Sequence, residues 1–502
     1  MTKEEALKAY FGYDAFRGGQ EIIIDALLSG QDALAIMPTG AGKSLCYQIP
    51  ALLFPGITLV ISPLVSLMRD QVTALVQNGI PAAFLNSSLT FKQYLLALER
   101  AKEGRYKIIY VAPERLETEG FRAFAEQTDI SLVAVDEAHC ISQWGQDFRP
   151  SYLNIPAFVD SLKRRPVVGA FTATATPDVK EDIEKLLALR KPKRLTTGFD
   201  RKNLYFEVLE PQDKKSTLLG QILSRPGKCG IVYCSTRKNV EEVCDFLRER
   251  GVHATRYHAG LEPEERHKNQ EDFLYDRAAV MVATNAFGMG IDKSDVRYVI
   301  HYNMPKDVES YYQEAGRAGR DGLPSSSIML YSGADVHTCE FLIKNGNQRD
   351  DLDAETAAKL EERDMQRLRK MIGYCKTERC LRRYILQYFG EKAPEDCGSC
   401  RNCLHKGERQ ERIAERRAAA VRREIPEELT AEQEELFQRL RELRGRIARI
   451  QGVPAYVVFS DKTLRELAVV RPRTMAALRS VSGVGDAKAA RYGKQLLAEI
   501  WE

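Results

Sequence analysis

The segment Pro38-Thr39-Gly40-Ala41-Gly42-Lys43-Ser44 constrains the fold more than any other stretch of the chain. It follows the apolar run 33–37 and opens the amphipathic stretch 45–53, so it predicts a strand, a phosphate-binding loop and a helix in succession. Gly40 and Gly42, next to Thr39 in the loop, let backbone N–H groups turn inward around an anion. Lys43 supplies a compact charge for the outer phosphates, and Ser44 offers a hydroxyl to a magnesium ion. Met37 stands where the usual template has its first glycine, so the remainder of the chain has to decide the reading.

Ahead of the loop, residues 10–20 lead into a short helical segment, 21–28. There Tyr13 and Arg17 can grip a base by stacking, and Gln20 can pair with the edges of adenine. Downstream, apolar strands with polar ends alternate with helical patterns, the βαβ rhythm of a parallel sheet. The runs 57–61, 108–111 and 132–135 are such strands, and the last delivers Asp136-Glu137-Ala138-His139. Ligands of open parallel sheets gather at the carboxyl ends of the strands. Two carboxylates placed there beside a phosphate loop suit nucleotide hydrolysis, with Asp136 holding magnesium and Glu137 orienting and deprotonating the attacking water.

A chain of 502 residues with 44% hydrophobic composition is too long for one core and apolar enough to build several. Its net charge of +4 makes any nucleic-acid reading depend on local motifs. Eleven cysteines, an odd and scattered count, argue for a reducing compartment in which clustered thiols are metal ligands. No apolar run approaches membrane-spanning length and the first ten residues do not read as a signal peptide, so a cytoplasmic protein is expected.

Taken together, the Gly-Ala-Gly-Lys-Ser loop, the Asp-Glu-Ala-His strand end and Thr172-Ala173-Thr174 resemble a superfamily 2 helicase. The stretch 140–150, CISQWGQDFRP, narrows the resemblance to the RecQ family, which carries an aromatic-rich loop at this place. The resemblance implies that Trp144, Phe148 and Arg149 face single-stranded DNA and that Gln143 couples the loop to ATP hydrolysis. Gln146 stands where the family usually has histidine. Two rings and a guanidinium in a loop also suit single-strand binding on physical grounds.

A second βα series follows without a phosphate loop. The family's motifs there imply backbone contacts to DNA from Thr236, Arg237 and Thr284, residue types that make good phosphate donors. Asp292, in the run Gly288-Met289-Gly290-Ile291-Asp292, is assigned to the nucleotide site. Arg317 and Arg320, three residues apart, are expected to share a helix face, with Arg320 as the arginine finger and Arg317 as a supporting phosphate or interlobe contact.

Cys397, Cys400 and Cys403 have the two-residue spacing of a metal knuckle. Spacing leaves Cys380, Cys375 and His405 open as the fourth ligand; the family resemblance implies Cys380, completing a zinc site. Residues 408–428 form a charged segment far shorter than the winged helix with which most RecQ proteins continue, and they read as a solvated linker. Residues 432–501 resemble an HRDC bundle, in which Lys488, Arg491 and Lys494 can meet single-strand phosphates. The expected fold class is α/β: two tandem RecA-like parallel-sheet domains (1–198 and 199–333), a helical zinc-binding subdomain (334–406), a linker (407–430) and an all-α HRDC bundle (431–502). The resemblance implies an ATP-dependent DNA helicase using ATP, Mg2+ and Zn2+. It is expected to act as a monomer, moving 3′ to 5′ on single-stranded and tailed duplex DNA in recombination, repair and fork rescue, with single-strand-binding or repair proteins as partners. The alternative is a translocase or strand-annealing factor that unwinds poorly.

Overall fold

A computed structural model describes residues 1–145, 147–287, 293–346, 354–406, 429–451, 455–479, 481, 483–484 and 486–501. Gln146, the run 288–292 with Asp292, and the charged segment 408–428 lie outside the described residues. The chain divides into two compact units, residues 1–404 and 405–502. Among the described residues no helix is long and apolar enough to cross a membrane.

In the larger unit, β1 (Ala33–Ile36), β2 (Ile57–Ile61), β3 (Ala82–Leu85), β4 (Ile108–Val111), β5 (Ile130–Val135), β6 (Val167–Thr172) and β7 (Lys193–Thr196) form one parallel sheet. Its order is β3-β4-β2-β5-β6-β1-β7. Central strands such as β2 are apolar but for Thr58 and buried at every residue, as expected where helices cover both faces. Because β5, β6 and β1 are neighbours, their carboxyl ends set Asp136 and Glu137, the Thr172-Ala173-Thr174 turn and the phosphate loop side by side. Helices α1 (Gln20–Leu28) and α2 (Leu45–Leu53) flank that edge.

The second sheet has the order β10-β11-β9-β12-β13-β8 and is also parallel. It comprises β8 (Leu204–Leu209), β9 (Gly230–Tyr233), β10 (Ala254–Tyr257), β11 (Val280–Ala283), β12 (Tyr298–His301) and β13 (Ser325–Leu330). Helix α3 (Val308–Ala315) follows β12. The expected helix face bearing Arg317 and Arg320 is corrected here: α3 ends at Ala315 and both arginines lie in the turns beyond it, where Gly319 takes φ +62°. The cap, Gly316, still has helical dihedrals (φ −64°, ψ −6°), and the chain leaves the helical path at Gly319, where glycine takes a positive φ at little cost.

Helices α4 (Ala354–Lys376) and α5 (Leu381–Tyr388) and the cysteine knuckle brace the second sheet and the chain that joins the lobes. Phe199 stacks on Phe389 with centroids 4.3 Å apart, and its carbonyl accepts from Tyr312 Oη at 2.8 Å. Arg382 donates to Asp200 Oδ1 at 2.7 Å and to the Arg201 and Leu204 carbonyls at 2.6 Å each. Arg401 pairs with Glu207 on β8.

The smaller unit is a helical bundle packed around residues such as Leu440, Leu464, Leu478 and Leu496. In it Lys488 donates to the Val458 carbonyl at 2.8 Å and lies over the Phe459 ring, so it is held within the bundle instead of being offered to phosphate; Arg491 and Lys494 are exposed. Residues 452–454, Ser482 and Gly485 of the HRDC reading lie outside the described residues.

Arg201 joins the two lobes through four carbonyls: Nη1 donates to Thr39 O and Gly316 O at 3.1 Å each, and Nη2 to Ala318 O and Gly319 O at 3.0 Å each. Burial lowers its pKa, but a guanidinium remains charged at neutral pH, and charged donors make the stronger hydrogen bonds. Arg201→Ala is expected to lower unfolding stability by about 2–4 kcal/mol, and Arg201→Lys to restore only part of it. Urea titration checks this; an alanine variant as stable as wild type would show that these carbonyls are satisfied in other ways.

Candidate active site

The phosphate loop turns through Gly40 at φ +83° and Gly42 at φ +76°. A Cβ added to Gly42 would stand 2.3 Å from Gln20 Nε2, because that amide donates to the Ala41 and Gly42 carbonyls at 3.1 and 3.0 Å. Gln20 Oε1 accepts the Arg17 backbone N–H at 2.8 Å. The amide expected to pair with adenine is therefore engaged in holding the loop. Tyr13 remains half exposed, with the Arg17 guanidinium 5.6 Å from its ring centroid. Tyr13, Arg17, Gln20 and residues 38–45 line a cavity of about 400 Å³, which Asp136 and Glu137 also line.

Inside it, Lys43 Nζ lies 3.4 Å from Asp136 Oδ1 and 3.2 Å from Glu137 Oε1. Burial opposes the charge on Lys43, but the carboxylates of Glu137 and Asp136 outweigh it and raise its pKa. Burial likewise pushes Asp136 up, and Lys43 offsets this only in part. For Glu137 the balance reverses: Lys43, helped by His139, overcomes burial and holds the carboxyl well below its usual range. His139 Nδ1 lies 3.3 Å from Glu137 Oε2 and 2.8 Å from Thr172 Oγ1, so β6 orients the ring that touches the carboxylate in the turn after β5. Glu137 itself sits at φ +46°, ψ +46°, a left-handed conformation that costs a non-glycine residue about 1–2 kcal/mol. The Tyr152 hydroxyl, donating to the Asp136 carbonyl at 3.0 Å, helps fix this turn.

The second lobe reaches the same cavity: Arg317 and Arg320 line it. A Cβ on Gly40 would meet the Arg320 side chain at 3.2 Å, and Thr39 Oγ1 donates to the Gly316 carbonyl at 3.3 Å. Gln313 Nε2 donates to Thr174 Oγ1 at 3.0 Å. Arg201, Gln313 and His139 are contributors that sequence reasoning passed over. Of the three, His139 alone carries a local signal, as the last residue of the Asp-Glu-Ala-His motif.

The loop after residue 141 is built by backbone closure. The Gly145 N–H donates to Ser142 O at 2.9 Å, and the Ser142 hydroxyl donates to Asp182 at 2.5 Å. Gln143 is exposed, and Trp144 is 53% exposed. Phe148 departs from its expected surface role: it is 9% exposed and lines a cavity of about 330 Å³ with Tyr233, Ser235, Asn285 and Asn303. A bare phenyl ring is better covered than solvated, and the second lobe covers it. Arg149 is held by Asp147 at 3.0 Å and by the Pro63 carbonyl at 2.9 Å. Thr236 caps the helix after β9, accepting from the Asn239 N–H at 3.1 Å; Arg237 next to it is exposed, and Thr284 directly follows the neighbouring strand β11.

Cys380, Cys397, Cys400 and Cys403 bring their sulfurs within 4.8 Å of one another. The Cys400 sulfur lies 3.9 Å from that of Cys380 and 3.5 Å from that of Cys403. Tetrahedral zinc with bonds of about 2.3 Å separates its thiolates by roughly 3.8 Å, so the set fits the ion. Cys375 is buried elsewhere in the core, and among the described residues His405 is not part of the cluster. Four thiolates leave no open position, which suits a structural site.

Family models match the chain end to end: DEAD/DEAH box helicase over residues 17–183, helicase conserved C-terminal domain over 213–322, RecQ zinc-binding over 333–404 and HRDC domain over 433–500. The ATP-dependent DNA helicase RecQ of Bacillus subtilis is 40% identical over a 587-residue alignment covering 99% of this chain and 98% of the relative. That of Haemophilus influenzae is 35% identical, covering 100% and 96%. The first alignment is longer than the chain itself, so the relative carries residues that this chain lacks, and the matches leave only 405–432 between zinc segment and HRDC domain. Among solved structures, a DEAD-box helicase, Mss116 bound to ssRNA and UDP-BeF, shares the fold with a TM-score of 0.58 at 14% identity, covering 78% of this chain and 91% of that one. ATP with magnesium and a structural zinc ion are the cofactors that these matches and the four-thiolate cluster support. With whole-length likeness at this level and all four family models in order, the chain belongs to the RecQ family of ATP-dependent DNA helicases.

Proposed function

We propose that this protein hydrolyses ATP to move 3′ to 5′ along one DNA strand and separate the duplex ahead of it, in recombination, repair and the rescue of stalled replication. The observation that carries the reading is that one cavity is lined by Lys43, Asp136 and Glu137 from the first lobe and by Arg317 and Arg320 from the second. Hydrolysis can then be made to depend on how the lobes sit. Ser44 and Asp136 would hold magnesium, which supplies charge neutralisation along the phosphates. Glu137 orients the attacking water and takes its proton. Arg320 meets the charge that develops on the phosphoryl oxygens, and Arg317 supports the interlobe contact. Phosphates compete with the carboxylates for Lys43. As Lys43 moves away, Glu137 loses the charge that depresses its pKa and becomes a better base.

On the nucleic-acid side, Trp144, Gln143 and Arg149, with Phe148 behind them, form the single-strand sensor, and Thr236, Arg237 and Thr284 hold the backbone. The substrates are single-stranded and tailed duplex DNA, the protein acts as a monomer in the nucleoid, and single-strand-binding or repair proteins are its partners. The domains divide at 198/199, 333/334 and 406/407, with HRDC from 431.

A labelled strand on a duplex with a 3′ single-stranded tail tests the reading. Wild type with ATP and magnesium displaces it; Lys43→Ala displaces none, and Glu137→Gln or Arg320→Ala lowers DNA-stimulated ATPase by about 10²-fold or more. Equal unwinding from a 5′ tail would overturn the polarity, and ATPase without displacement would make the protein a translocase. Because the zinc segment braces the linker 199–204, Cys400→Ser is expected to lose bound zinc and lower the melting midpoint by roughly 5 °C or more. Metal analysis with thermal unfolding reads both; full zinc content in the variant would exclude Cys400 as a ligand.

A further inference from the structure

We infer that Arg367, on α4 of the zinc-binding segment, is a positioning residue that ties the aromatic loop of the first lobe to the helix that leads to Arg317 and Arg320 in the second. The inference rests on the function proposed above. Arg367 is buried, and its guanidinium contacts both lobes at once. Nη2 donates to the Trp144 carbonyl at 2.6 Å and to Glu309 Oε1 at 3.1 Å, and Nη1 donates to the Gly145 carbonyl at 3.1 Å. A planar fork with several fixed donors can serve two carbonyls and a carboxylate together; an ammonium on a flexible stem cannot hold all three in one geometry.

Each end of this tether is stiff. A Cβ on Gly145 would stand 2.1 Å from the His139 carbonyl, so the main chain at Gly145 lies directly on the residue whose ring touches Glu137 and Thr172. Displacement of Gly145 is therefore felt at the carboxylate of the nucleotide site. On the other side, Glu309 is buried in the first turn of α3, and two residues past the end of that helix the chain reaches Arg317. A short hydrogen-bonded helix moves as a body, so a pull on Glu309 is carried to the arginines. The contacts run without a break from Glu137 through His139, Gly145, Arg367 and Glu309 to the far lobe, and they pass through the zinc-binding segment.

The moving part is Trp144. Its indole is 53% exposed and forms part of the rim of a cavity of about 500 Å³ whose other walls include Pro177, Gln366, Lys370 and Tyr384. A base stacking on the indole has room to shift it, and the carbonyl of the same residue is the one that Arg367 holds. Stacking at the side chain thus loads the tether at the backbone. Arg367 acts through Glu309 and the loop and touches neither nucleotide nor DNA.

The test uses the full-length chain. Arg367→Lys keeps a charge opposite Glu309, so it avoids leaving a buried carboxylate unpaired, while Arg367→Ala removes the tether outright. Trp144 and Trp501 are the only tryptophans, so Trp501→Phe makes fluorescence report on Trp144 alone. In Arg367→Lys we expect basal ATPase within about two-fold of wild type and an unchanged KM for ATP. Single-strand affinity should stay within about three-fold, and DNA-stimulated kcat should fall by about ten-fold or more. The Trp144 signal should still respond to DNA, so that binding is sensed but not transmitted. Wild-type stimulation in both variants overturns the inference. A loss of DNA affinity matching the loss of stimulation also overturns it, since Arg367 would then be a DNA contact. A wild-type enzyme whose ATPase ignores DNA would instead overturn the proposed function itself.

Discussion

Thr39 of the phosphate loop and Gly316 of the second lobe approach so closely that a methyl group would not fit between them: a Cβ on Gly316 would stand 2.6 Å from Thr39 Oγ1. The rest of the nucleotide site depends on that contact. Only with the two lobes this near can Arg317 and Arg320 line the cavity that the phosphate loop and the Asp136-Glu137 pair line from the other side. The approach of Thr39 to Gly316 is held by hydrogen bonds. It is made by hydroxyl and guanidinium donors on backbone carbonyls, which satisfy groups that would otherwise be buried without partners. Contacts of this kind can be broken and remade with water at modest net cost, which suits an interface that must open and close.

The zinc-binding segment has a different task. Between its helices and the knuckle it is too small to bury a core of its own, and it shares one hydrophobic cluster with both lobes, through Leu368, Met371, Tyr374 and Phe389. Closing four thiolates around one ion fixes the short loops near Arg382 and Arg401, and these two arginines then meet the linker and the edge strand β8. The metal therefore acts on the motor at one remove, by setting the path of the chain that joins the lobes.

What the sequence makes legible follows the range of the interactions. The phosphate loop, the strand that ends in Asp136 and Glu137, and the cysteine knuckle are local patterns in which chemistry and spacing lie within a few residues. Gln20 is different: its amide is placed by Ala41 and Gly42, more than twenty positions away, and nothing near Gln20 announces that its donors are taken. Arg201 and Arg367 are invisible for the same reason, since each acts on backbone carbonyls that only the folded chain brings near. Phe148 was legible as a loop residue, but not as one covered by the other lobe. The arginine pair is legible as a pair, whereas the end of α3 at Ala315, ahead of both arginines, is not.

On the function proposed above, the state of Glu137 would restrain idle hydrolysis. Its backbone is held in a strained left-handed turn, and its carboxylate is paired with Lys43 and approached by His139. A carboxylate stabilised in this way is a poor base, so the residue proposed to activate water has its proton affinity held down while Lys43 is paired with it. In the function proposed above, nucleotide relieves part of this by drawing Lys43 away. The remainder is tied to the loop that follows Glu137 in sequence, because the turn at 137 continues through Cys140, whose carbonyl accepts the Arg149 N–H, into the segment that bears Trp144. Strained backbone of this kind persists only while the surrounding structure holds it. A chain that places its proposed base at one end of such a loop and its proposed sensor in the middle would, on the function proposed above, let what lies against that loop set the rate of hydrolysis.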